Sequence, residues 1–315
     1  MTTILLVGKA HPRFRDRLGS RFELLELPSA DAKDVTPEMA ARIEGATTFN
    51  QMTPALMDAL PNLRIVANFG VGYDGVDAAY AARRNIVVTN TPDVLDEEVA
   101  DTTIGLLLNT IRLLPQAENH LRAGKWAKEG AFRLSPLSLR GRHVGMYGMG
   151  RIGQQIARRL TAFNVEISYH TRSPKPEIGY TYIPTLRQLA ETVDTLVCIV
   201  PKTPETRQTI NTEILSALGK TGVLINVGRG WTVSEDDLVA ALEQGVIAGA
   251  GLDVFEDEPN VPEALLRFDN VSLLPHVASA SVVTRDLMAD LVVDNVISWF
   301  ENGRAITPVP ETKAV

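Results

Sequence analysis

The residues Gly148-Met149-Gly150-Arg151-Ile152-Gly153 carry the GxGxxG spacing of a dinucleotide-binding turn. They follow the apolar run His143 to Tyr147 and open a helical pattern from Gln154 to Phe163. In that setting the glycines permit a tight turn and close approach of a pyrophosphate, which the helix amides then bind. Gly148, Gly150, Arg151, Ile152 and Gly153 are therefore candidate cofactor contacts; a plain glycine-rich turn is the competing reading. About twenty positions further on, such folds place an acid that accepts hydrogen bonds from a ribose 2′-hydroxyl. This chain has Tyr169-His170-Thr171-Arg172-Ser173-Pro174-Lys175 there instead. The hydroxyls of Thr171 and Ser173, the Arg172 guanidinium and the Lys175 ammonium suit a 2′-phosphate, which points to NADP (NADPH). The bland alternative is a solvated basic loop.

Two more residues stand after strand-like runs, where α/β folds gather ligands. Arg229 lies between Gly228 and Gly230, and its planar fork matches a carboxylate. His276 follows Pro275 and is the best general acid in the chain. Its partner would be an acid of the run Glu256-Asp257-Glu258, and spacing alone does not say which one points inward. Met52, just after another short apolar run, is a weaker candidate for a pocket wall. His11, His120, His143 and His170 lack such a setting and read as surface or packing residues, with His170 placed to stack near an adenine.

These residues need elements to hold them. Short β-rich runs alternate with helical patterns, the signature of parallel βαβ units. One series comprises Thr3 to Val7, Leu24 to Leu27, Thr47 to Phe49, Ile65 to Asn68 and Ile86 to Thr89. A second begins at His143 to Tyr147 and continues at Glu166 to Tyr169, Thr195 to Ile199, Val223 to Asn226, Gly249 to Leu252 and Val271 to Leu274. The expected fold is α/β, with two Rossmann-like doubly wound parallel-sheet domains and a cleft between them. A discontinuous substrate-binding domain, residues 1–97 plus 286–315, is expected to flank a dinucleotide-binding domain at 98–285. The apolar helical pattern Glu97 to Leu114 connects them, and the last pattern, Val282 to Phe300, carries the chain back.

Composition narrows the function classes. The 315 residues exceed the usual size of a single core. A net charge of -7 gives no basic field to attract nucleic acid or an anionic membrane. No apolar run approaches the roughly 18 residues of a membrane span. A lone cysteine, Cys198, excludes an internal disulfide and a thiolate metal cluster, and the few histidines suggest no metal site. A cytoplasmic protein is expected.

Three segments resemble signature regions of the D-2-hydroxyacid dehydrogenase family: Leu224 to Gly230, Gly249 to Pro259 and Leu273 to Ser279. Asn68 to Asp77 and Thr89 to Pro92 look like family segments as well, so the resemblance spans essentially the whole chain. Within the family, the loop Tyr169 to Lys175 is most similar to that of NADPH-using glyoxylate, hydroxypyruvate and hydroxyphenylpyruvate reductases. The resemblance implies reduction of a small 2-oxo acid to a D-2-hydroxy acid. Such chemistry needs a cation for the carboxylate, a proton donor for the carbonyl and a hydride. Arg229, His276 and NADPH would supply them. The family pattern, an acid directly before Pro259, implies that Glu258 holds the imidazole and favours its charged form.

The resemblance also implies that the amides of Val71 and Gly72 bind the substrate carboxylate, that Val227 and Asp253 border the cofactor, and that the protein is a homodimer. The hydrophobic arm with Leu121, Trp126 and Phe132 fits the last point. Two other readings compete. An NAD-linked enzyme acting on D-lactate or phosphoglycerate would want the missing acid after Tyr169. A non-catalytic dinucleotide sensor would not need Arg229, Glu258 and His276 together.

Overall fold

The computed structural model describes residues 1–314. Twelve strands form two wholly parallel sheets. The first holds β1 (Thr3–Val7), β2 (Glu23–Leu27), β3 (Ile43–Thr48), β4 (Ile65–Asn68) and β5 (Val87–Thr89), in the order β2-β1-β3-β4-β5. The second holds β6 (His143–Tyr147), β7 (Glu166–His170), β8 (Thr181–Tyr182), β9 (Thr195–Cys198), β10 (Val223–Asn226), β11 (Gly249–Leu252) and β12 (Val271–Leu273). Its order is β12-β11-β10-β9-β6-β7-β8.

Strands β1, β4, β9, β10 and β11 are buried at every position. That follows from crossover helices covering both faces of a parallel sheet, which is why these strands read as continuous apolar runs. Both orders reverse direction once, β1 against β3 and β6 against β9. Doubly wound sheets bind ligands at the carboxyl edge of such a switch point. The larger sheet has the dinucleotide-binding order, and the smaller has the flavodoxin-like order of the same architecture.

Contacts divide the chain into two compact units, Met1–Leu95 with Ser281–Val315, and Asp96–Ala280. The junctions fall at 95/96 and 280/281, against 97/98 and 285/286 read from the sequence. The physical reason is capping. Ser281 opens the helix Val282–Asn302 by accepting from the Thr284 amide, and Gly303, at φ 69°, closes it. The helix therefore belongs whole to one unit, where Arg13 and Arg17 bind Asp286, Asp290 and Asp294 along its face.

Two strands differ from the sequence expectation by more than one residue. Strand β3 starts at Ile43, four residues early, because Gly45 sits where an added Cβ would lie 2.8 Å from Ile4 Cδ1. The glycine that breaks the apolar run is thus a packing requirement. Strand β8, only two residues long, lacked enough chain to show a pattern.

Candidate active site

In the unit Asp96–Ala280, the turn after β6 approaches the strand across the switch point. At Gly148, φ is 104° and a Cβ would lie 2.9 Å from the Ile199 carbonyl oxygen, so no other residue fits. At Gly153 a Cβ would lie 2.5 Å from the Gly148 oxygen, which lets the helix Arg151–Thr161 start directly against the turn. Gly150 differs, since a Cβ there would meet nothing within 4 Å. A side chain would fill open space that a pyrophosphate needs. No side chain caps this helix, so its first-turn amides face that space. The residues present therefore fit a dinucleotide.

The loop after β7 is shaped from within. The Thr171 hydroxyl donates to the Ser173 carbonyl at 2.6 Å, and the Lys175 amide donates to the Tyr169 hydroxyl at 2.7 Å. These bonds leave Arg172 and Ser173 exposed. The His170 ring stacks between Tyr147 and Tyr182, and its Nδ1 lies 3.0 Å from the Ile183 oxygen. An acid that spacing did not reveal stands near this loop: the positive charge of Arg172 acts on Glu205. Val227 is buried and donates its amide to Cys198. Burial pushes the Cys198 thiol up to about 12, which removes it from nucleophilic chemistry.

Strand β10 delivers Arg229. Asn226, fully buried, accepts from the Gly228 amide at 3.1 Å and donates to the Arg229 carbonyl at 2.9 Å. A Cβ on Gly230 would lie 1.9 Å from the Phe255 carbonyl carbon. The backbone of residue 230 must therefore pass against that of residue 255, which sets Arg229 beside the acidic run. Within that run Glu258 is the inward acid. Its Oε1 accepts from the Phe255 amide at 3.0 Å, and its Oε2 lies 2.7 Å from His276 Nδ1. Burial alone would raise the Glu258 carboxyl. The hydrogen bonds from His276 and Phe255, with the charges of His276 and Arg229, outweigh it and hold that carboxyl below its usual range.

Asp253, expected beside the cofactor, is almost wholly buried with both oxygens on backbone amides, Val277 at 2.8 Å and Ala278 at 3.0 Å. Its own carbonyl takes the His276 amide at 2.8 Å. His276 has φ 53°, a left-handed conformation that costs about 1–3 kcal/mol and persists only where neighbours over-determine it. The bonds from Asp253 do so and turn the ring toward Glu258. Burial pushes the Asp253 carboxyl up, a shift reduced by the two amides and the charge of His276 and increased by the charge of Glu258. Trp231 is pinned by its Nε1 to the Thr203 carbonyl at 2.9 Å, with Lys202 and Arg207 over its ring.

In the unit Met1–Leu95 with Ser281–Val315, the turn Gly70-Val71-Gly72 follows β4. Phe69 before it is buried against Phe49 at 4.4 Å, His11 and Phe14, with Arg285 over its ring. Met52 is wholly buried in the core cluster of this unit. Among the described residues no helix is long and apolar enough to cross a membrane, and no group of three or more His, Cys, Asp or Glu is placed to hold a metal ion.

Comparison with known proteins bears on the same residues. The chain is similar to the NADPH-dependent glyoxylate/hydroxypyruvate reductase of Sinorhizobium meliloti, solved in complex with NADP and malonate. Identity is 64%, the TM-score is 0.97, and 99% of this chain and 97% of that one are covered. It is 43% identical to glyoxylate/hydroxypyruvate reductase A of Arabidopsis thaliana over 309 residues, 97% of this chain and 98% of that protein. With hydroxyphenylpyruvate reductase of Plectranthus scutellarioides it shares 50% identity over 254 residues, 81% of this chain and 80% of that one. The profile described as "D-isomer specific 2-hydroxyacid dehydrogenase, NAD binding domain" matches residues 104–278, more than half of the chain and all of the turn, arginine and acid–histidine segments. The chain belongs to the D-isomer-specific 2-hydroxyacid dehydrogenase family.

Proposed function

We propose that this protein is an NADPH-dependent reductase of small 2-oxo acids, glyoxylate and hydroxypyruvate foremost, yielding D-2-hydroxy acids. The observation that carries the reading is the Glu258–His276 pair at 2.7 Å, with the charge of Arg229 acting on the same carboxylate. Such an arrangement suits acid catalysis beside a bound anion. The likeness to the Sinorhizobium and Arabidopsis reductases supports the substrate class.

In this reading Gly148, Gly150, Arg151, Ile152 and Gly153 hold the pyrophosphate, Val227 lies along the cofactor, and Thr171, Arg172, Ser173 and Lys175 bind the 2′-phosphate. NADPH, when bound, supplies the hydride. The Arg229 guanidinium pairs with the substrate carboxylate in bidentate fashion and polarises the adjoining carbonyl. The amides of Val71 and Gly72 also bind the carboxylate. His276 Nε2 donates its proton to the carbonyl oxygen, while Glu258 at Nδ1 fixes the ring and stabilises its cationic form. Asp253 serves this site by holding the backbone of residues 276–278.

The acting form is a cytoplasmic homodimer. Support comes from Leu114, Leu121, Trp126 and Leu134, exposed on one arm, with Trp126 at 63% and Leu134 at 92%. Sedimentation equilibrium reads the dimer. The activity is tested by following NADPH and NADH oxidation with glyoxylate, hydroxypyruvate, pyruvate and an aromatic 2-oxo acid. NADPH with the two small substrates is expected to be fastest, and preference for NADH would overturn the cofactor assignment.

A further inference from the structure

The turn after β4 is held through its carbonyls. Asn68, the last residue of β4 and fully buried, donates through Nδ2 to the Gly72 carbonyl at 2.9 Å and to the Gly70 carbonyl at 3.3 Å. The Gly70 oxygen also accepts from the Thr91 amide at 3.0 Å. Asn90, just after β5, donates through Nδ2 to the Val71 carbonyl at 2.8 Å. Three successive carbonyls are thus drawn toward side chains of the scaffold.

A trans peptide is planar, with its C=O and N–H pointing in opposite directions. Fixing the oxygens of Gly70 and Val71 therefore fixes the N–H groups of Val71 and Gly72, each pointing away from the scaffold group that holds its own peptide. Gly70 makes this possible, since its φ of 148° is closed to residues with a Cβ. The two asparagines are themselves braced. Asn68 Oδ1 accepts from the Asn50 amide at 2.8 Å, and Asn50 Oδ1 accepts from the Gly75 amide at 2.8 Å. The Asn90 carbonyl accepts from the Thr307 hydroxyl at 2.7 Å.

We propose that Asn68 and Asn90 are positioning residues for substrate affinity, which orient the Val71 and Gly72 amides as a two-donor seat for the carboxylate of the 2-oxo acid. This rests on reading the chain as a 2-oxo acid reductase. Neither asparagine touches the substrate. Each acts through the peptide it holds, so its loss is felt in binding of the anion and not in the proton or hydride step.

Asn68→Asp and Asn90→Asp keep size and shape but replace a donor with an acceptor facing carbonyl oxygens. At position 68 the acceptor for Asn50 survives. The expected result for either variant is a rise in the hydroxypyruvate KM of about 10-fold or more, from the lost bond and the repulsion that replaces it. The kcat stays within about 3-fold of wild type, and the NADPH KM is unchanged. Oxalate, a dead-end anion, should weaken in parallel when its binding to the NADP-saturated protein is measured by calorimetry. A merely structural role would instead lower stability while leaving KM and oxalate affinity alone. Asn90 is only half-buried, so its variant carries the test if Asn68→Asp fails to fold.

Folded variants with wild-type KM and wild-type oxalate affinity would overturn the inference, as would a loss confined to kcat. If the wild type turned over no 2-oxo acid yet bound oxalate, and both variants bound it more weakly, the proposed function would fall and the seat would stand. A wild type that neither turned over nor bound would refute both.

Discussion

Replacing Glu258 by Gln keeps the shape of the side chain and removes its charge. In the folded protein its Oε2 lies 2.7 Å from His276 Nδ1, the length of a charge-assisted hydrogen bond. Such a bond contributes about 1.5–3 kcal/mol. The two side chains are 47% and 34% exposed, so solvent screening places the effect at the lower end. At 1.36 kcal/mol per decade, kcat for hydroxypyruvate should fall about 10-fold, with about 100-fold as the upper bound. The NADPH KM should be unchanged, because the residues proposed to hold the cofactor lie on other turns.

Stability has a definite sign. The folded Glu258 carboxyl lies below its usual range, so on acidification the unfolded chain takes up the proton first. The pair's contribution is fully present above the unfolded value, about 4.3, and is lost as pH falls through the folded one. The Tm gap between wild type and Glu258→Gln should therefore close in acid. Steady-state kinetics and thermal melts from pH 4 to 9 read both effects. A variant within 2-fold of wild-type kcat throughout, or a Tm gap that widens in acid, would refute the reasoning.

Other changes separate the remaining parts of the site. Arg172→Ala should raise the NADPH KM about 10- to 100-fold and leave the NADH KM nearly unchanged, and equal losses would show that the loop reads something other than the phosphate. Gly230→Ala drives a Cβ to within 1.9 Å of the Phe255 carbonyl carbon, so the backbone must shift. Activity should drop at least about 10-fold while the NADPH dissociation constant, read by fluorescence, stays within about 3-fold. Arg142 is buried and joins the Thr195 hydroxyl and the Thr221 carbonyl, both at 2.6 Å, to Asp194 at 2.9 Å. Arg142→Met removes the donor to the Thr195 hydroxyl and the Thr221 carbonyl, while Asp194 keeps the Thr195 hydroxyl and the His143 amide, and it should cost about 1–3 kcal/mol in urea unfolding, with the kcat of the folded fraction retained.

The ease with which this fold could be read follows from its parallel sheets. Strands buried on both faces must be apolar throughout, so β1, β4, β6, β10 and β11 stood out with their observed bounds. The larger exception, β3, has a packing cause. At Gly45 the neighbouring side chains Ile4, Ile65 and Phe300 fill the space a Cβ would take, so an interior position carries the residue that usually signals a turn. The cofactor turn was legible for the opposite reason. Gly153 closes on Gly148, Gly148 meets the Ile199 carbonyl and Gly150 leaves space open, so three separate requirements fall within six residues and leave one local signature.

The proposed catalytic constellation was legible as residue types but not as an arrangement. Pro275-His276 after a strand suggests an acid at a sheet edge, yet whether the ring meets a carboxylate depends on a left-handed φ that the residue type does not announce. What enforces that φ is Asp253, 24 and 25 residues before the amides it binds and hidden in the interior. Spacing alone did not choose Glu258 over its two acidic neighbours; the family resemblance did, and the backbone supplies the reason, because the Phe255 amide holds one oxygen and leaves the other for His276. The same logic covers Asn68 and Asn90. An asparagine at the end of a strand is unremarkable in sequence, and only the direction of three carbonyls turns it into part of a binding site. Chemistry at the surface of this fold is therefore aimed by buried polar groups several turns away, and residues that never meet a ligand decide where those that do are pointed.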